Sequence, residues 1–82
     1  LNSREVQDKV ARGRAKELAG QQDRSHEERI KELYRWVYSR EPVTEEMQVA
    51  LAHIEKHKDA PQTAYEDIVW ALINTKEFLF NH

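Results

Sequence analysis

Apolar residues recur at three- and four-residue spacing in four stretches of this chain, each bounded by residues that start or stop helices. The first stretch predicts a helix from about Arg4 to Ala19, with Ser3 as N-cap and Gly20 just past its end. Its stripe of Val6, Val10, Ala11, Ala15 and Leu18 is broad and shallow, so this helix is expected to be lightly held. The second runs from about His26 to Ser39. It opens on the capping box Ser25-His26-Glu27-Glu28, carries Ile30, Leu33, Tyr34 and Val37 on one face, and is stopped by Pro42. Thr44 is the expected cap of the third, whose stripe is Met47, Ala50, Leu51 and Ile54. Pro61 is expected in the next connection, and a second capping box, Thr63-Ala64-Tyr65-Glu66, opens the fourth helix.

The fourth helix differs from the others. Tyr65, Ile68, Leu72 and Leu79 share one side, and Val69, Ile73 and Phe80 lie further round. Together they cover roughly 200°, about twice the stripe of a surface helix. Such a helix needs cover on two sides. The second and third helices, joined by a few residues, form a hairpin that covers one side. The first helix or a missing partner must cover the other. The expected architecture is therefore all-α: a small four-helix bundle over residues 1–82 with the C-terminal helix at its centre.

Composition narrows the function more than the fold. The chain has 82 residues, of which 34% are charged and 39% apolar, enough for one thin core. A net charge of −2 gives no electrostatic footprint for nucleic acid or an anionic membrane. There is no cysteine, hence no disulfide, thiolate metal site or cysteine nucleophile. No apolar run approaches the roughly 20 residues of a membrane span. A start at Leu1 rather than Met suggests a piece of a longer protein.

Candidate chemistry is sparse. His53 and His57 are spaced i,i+4, which puts both imidazoles on one helix edge within reach of a single metal. Other ligands would have to come from His26, His82 or scattered carboxylates. The segment His-Ile-Glu-Lys-His also lacks the Glu that a zincin places directly after its first His. A solvated pair is the expectation, and no metal or cofactor is assigned. The acidic pairs Glu27-Glu28, Glu45-Glu46 and Glu66-Asp67 each read as first-turn residues favoured by the helix dipole. Asn74 interrupts the most apolar helix and is expected to bond across to a helix end or loop; Arg40 is expected to cap carbonyls at the end of the second helix. Trp36 and Trp70 fall off the centres of their stripes. Each is either a core-edge residue with its indole N–H satisfied or an aromatic anchor on an exposed patch. No nucleophile setting or phosphate-cradling loop is present, so the chain alone is not expected to be an enzyme.

The segments Leu1-Asn2-Ser3-Arg4-Glu5-Val6-Gln7, Glu28-Arg29-Ile30-Lys31-Glu32-Leu33-Tyr34, Ser39-Arg40-Glu41-Pro42 and Ala71-Leu72-Ile73-Asn74-Thr75-Lys76-Glu77-Phe78-Leu79-Phe80 resemble the carboxy-terminal end of the large planctomycete proteins that carry domain of unknown function 1553. The resemblance spans nearly the whole chain, and the closing run from Asn74 to His82 is its most specific part. It implies an exported, extracytoplasmic protein whose family often bears a c-type cytochrome motif elsewhere. The Cys-x-x-Cys-His signature has no counterpart here, so no haem role and no catalytic residue carries over.

Two functions are expected. One is a non-catalytic helical module that docks within a large exported protein or onto a protein partner, with Trp70, Ile73, Phe80 and Trp36 as anchors. The other is a helical part of a redox or metal-dependent extracytoplasmic enzyme, using His53, His57 or His26. A peptide-binding groove between helices is a variant of the first.

Overall fold

A computed structural model describes the backbone of residues 3–80 and the side chains of residues 4–75. The described residues form four helices and no strand: α1 (Ser3–Gly20), α2 (His26–Tyr38), α3 (Thr44–Lys56) and α4 (Pro61–Phe80). The side chains of Leu79 and Phe80, expected to pack and to anchor a partner, lie outside the described residues, as does His82. No described helix is long and apolar enough to cross a membrane.

The helix boundaries show which local signals won. At α2 the Ser25 hydroxyl accepts from the Glu28 amide at 3.1 Å, as a cap should. The Glu28 carboxylate, however, lies 3.7 Å from the Arg24 side chain. α2 stops short of Pro42, because Ser39 turns left-handed at φ 59° and its amide closes on the Arg35 carbonyl at 3.0 Å. The cap of α3 is Val43 rather than Thr44. Its amide donates to Glu46 Oε1 at 2.9 Å, so the carboxylate of the first turn does the capping that no valine side chain can.

Pro61 is the first residue of α4, not part of the loop before it. A proline suits that position, where its missing N–H leaves nothing unsatisfied and its φ is already helical. Thr63 therefore sits inside the first turn instead of capping it. Glu66 and Asp67 move out of the first turn, and the helix dipole no longer accounts for them.

α4 is central. Ala64, Tyr65, Ile68, Val69 and Leu72 are all buried, between α1 on one side and the α2–α3 hairpin on the other. Ile30, Leu33, Tyr34 and Val37 of α2 and Ala50 and Ile54 of α3 complete the core, with Met47, Leu51 and Ile73 half-buried against it. Tyr38 ties α2 to α4 by donating to the Leu72 carbonyl at 3.2 Å.

α1 has its longest contact with α4, more extensive than any other helix pair makes, and so supplies the second cover that α4 needs. The contact uses small side chains: Ala11, Ala15 and Leu18 are fully buried, whereas Val6 and Val10 stay 45% and 39% exposed. Asp8 takes the inward place because the Trp70 indole N–H needs an acceptor and donates to it. Methyl groups at positions 11 and 15 leave room for a neighbouring helix and none for a larger group. Ala15→Leu is expected to lower stability by about 1–3 kcal/mol in urea unfolding, the usual cost of overpacking a filled site. A stability unchanged within error would show that α1 is not seated on α4.

Candidate functional site

A groove of about 400 Å³ runs between α3 and α4, with α2 at its floor. Tyr34, Ala50, Ile68 and Leu72 make its apolar wall, and Val49 stands at the rim 71% exposed. Alanines make the groove possible. Ala50 and Ala71 present a single methyl each where longer side chains would fill the gap between the helices.

The rim is acidic. Glu45, Glu46 and Asp67 all border the groove. Arg40 forks onto Glu46 with bonds of 2.9 and 3.1 Å, which holds the Glu46 carboxyl below its ordinary value. The same guanidinium lies 5.7 and 5.3 Å from the Tyr34 and Tyr38 ring centres. It also donates to the Glu41 carbonyl. Arg40 thus bridges α2 to the first turn of α3 and does not cap α2.

His53 lines the groove further along α3, and His57 stands one turn beyond it. Their rings are 4.5 Å apart, centre to centre, and His53 Nε2 is 2.9 Å from Asp67 Oδ2 on α4. One ligand atom from each of the three residues lies within 4.8 Å of the others. The carboxylate that joins the histidines is therefore Asp67. His26 is occupied elsewhere: its Nδ1 is 2.6 Å from the buried Tyr65 hydroxyl. Burial, with Arg29 nearby, lowers its pKa below the ordinary value of 6.5.

The tryptophans divide. Trp70 is half-buried under α1, with its N–H given to Asp8 and the Arg4 guanidinium 5.1 Å from its ring centre. Trp36 is 46% exposed on the outer face of α2, where Arg14 stacks at 4.9 Å. Ile73 is half-buried beside the core. These residues do not converge on one surface with the groove. Asn74 bonds back to the Trp70 carbonyl at 2.8 Å within its own helix, and does not reach across to another.

Three further residues matter here, and only the last of them carries a signal in the pattern. Val49 lies off the third stripe and carries no signal beyond being an apolar residue on a polar face. Asp8 stands four residues before Arg12, a spacing common to solvent-facing ion pairs, and so carries no sign of an inward place. Arg29 is the one buried charged residue among the described residues, at 6% exposure. Its signal is present in the sequence, because Arg29 stands four residues before Leu33 and eight before Val37, inside the apolar stripe. No family model, curated protein or solved structure matches the chain.

Proposed function

We propose that this chain is a non-catalytic docking module that seats an apolar, basic-flanked helical segment in the groove between α3 and α4. The observation that carries the reading is the pairing of an open apolar trough with an acidic rim: Tyr34, Ile68 and Leu72 inside, Glu45 and Asp67 at the edge. An amphipathic helix lays apolar side chains into such a groove, and cations beside them meet the rim. The anchoring surface is then this groove, with Val49 at its lip, in place of a face built on Trp70, which α1 already covers. The resemblance to the planctomycete family supports a segment of a long exported protein as the partner, and an extracytoplasmic setting.

A fluorescent helical peptide with leucines on one face and flanking lysines provides the test, beside a twin carrying glutamates for lysines. The basic peptide should bind saturably and the acidic twin at least about tenfold more weakly, with the gap closing at high salt. Val49→Ser should weaken binding about tenfold, since covering one valine is worth about 1.5 kcal/mol. Its Tm should stay put, because the side chain is 71% exposed in the free protein. Equal binding of both peptides, or no effect of Val49→Ser, would remove the groove from consideration.

A further inference from the structure

The geometry points to a divalent transition-metal site that clips α3 to α4, with His53, His57 and Asp67 as its protein ligands. The site shares His53 and Asp67 with the groove, but its test needs no partner. Two imidazoles at i,i+4 on α3 share an edge, and Asp67 of α4 already reaches that edge at 2.9 Å from His53 Nε2. The ligand atoms are gathered within 4.8 Å. Around a tetrahedral zinc, ligand atoms bonded at about 2.0–2.1 Å sit about 3.3 Å apart, so the most separated atoms of the set have to draw in by about 1.5 Å. Two nitrogens and one carboxylate oxygen suit zinc, cobalt, nickel or copper, and not calcium or magnesium, which take oxygen shells. The fourth position is left for water or a group brought by a ligand.

The surroundings permit this. His53 and Asp67 side chains are 31% and 51% exposed, so an ion can enter from solvent. Of the two lysines that flank His57 in sequence, Lys58 lies 3.8 Å from Glu55, which offsets its charge. The dipole of α4 does not explain why Asp67, beyond the first turn, faces a histidine edge. An ion there would replace the His53–Asp67 hydrogen bond with two bonds to metal and draw His57 in.

Cobalt(II) titration of the 82-residue chain at neutral pH, followed by its d–d absorption and by zinc displacement, tests the assignment. One ion per chain should bind, with the strong absorption of a four- or five-coordinate site, and the Tm should climb as zinc is added. His53→Gln, His57→Gln and Asp67→Asn should each weaken binding more than about tenfold. His26→Gln should bind like the parent, and circular dichroism should show all four variants folded. No saturable binding would overturn the site. So would a cobalt spectrum that survives His57→Gln, which marks adventitious histidine binding, or one that survives Asp67→Asn, which confines the ion to α3.

Discussion

Replacing Tyr65 with alanine is expected to cost about 3–5 kcal/mol, the range for deleting a buried ring from a packed core. Tyr65 is fully buried at the middle of the bundle, on the helix that every other helix touches. Its ring lies against His26 and 5.5 Å from the Arg29 guanidinium, so its loss empties a space between α2 and α4. A chain of this size has only about 5–10 kcal/mol of total stability. The alanine variant should therefore melt at least about 12 °C lower, and near room temperature a visible fraction should be unfolded. Tyr65→Phe separates the ring from its hydroxyl. It keeps the packing, loses the bond to His26 Nδ1, and should cost about 1 kcal/mol.

His26, bonded to Tyr65, makes stability depend on pH on the acid side. His26 has its pKa lowered in the folded protein by burial first and by Arg29 second. As pH falls, the unfolded chain takes up that proton before the folded one does. Stability from this group is therefore complete above about pH 6.5 and declines as pH drops through that value toward the lower folded-state pKa. Urea midpoints across this range should slope for the parent and be flatter for His26→Gln. Equal slopes would show that His26 is not the group that makes stability fall in this range.

Arg29→Met is the second large expected effect, a loss of about 2–4 kcal/mol. The guanidinium donates to the Leu18 carbonyl at 2.9 Å, the Arg24 carbonyl at 2.7 Å and the Ser25 carbonyl at 3.3 Å. These oxygens span the end of α1 and the whole turn into α2. Leu18 and Ser25 also accept from the backbone amides of Gln21 and Arg29, so the Arg24 carbonyl suffers most. Methionine fills similar volume but offers no donor, and charge-assisted bonds of this kind are worth about 1.5–3 kcal/mol. Lysine should recover less than half of the loss, since one ammonium cannot fork across three carbonyls. Guanidinium chloride unfolding of the three proteins decides it. A methionine variant within about 0.5 kcal/mol of the parent would mean that the turn holds itself.

Periodicity makes the bundle legible. Ile30, Leu33, Tyr34 and Val37 are buried as their spacing requires, and the double-sided apolar pattern of α4 correctly demands two covers. Pattern fails where the decisive contact joins residues distant in sequence. Val6 and Val10 look like core because valine is apolar, yet Asp8 holds the inward place through Trp70, a partner no local rule can supply. Asp67 reads as a dipole residue only while Thr63 is taken to start α4. An error of a few residues at the cap turns a cross-helix ligand into a generic first-turn acid. The histidine spacing is plain in the sequence; the carboxylate that completes it is not. The groove is the least legible feature, since it is made by what alanine leaves out at positions 50 and 71.

The pairing of α1 with α4 joins the first and last helices of the bundle, and this orders events during synthesis. Of the four helices described, the first to leave the ribosome is the one whose cover is made last. Until α4 emerges, Ala11, Ala15 and Leu18 have no surface to close on, and the α2–α3 hairpin has only half a core. The bundle thus cannot be assembled piece by piece from its N-terminus. It closes in one late step, and a nascent chain arrested before that step presents its unfinished face to chaperones and proteases.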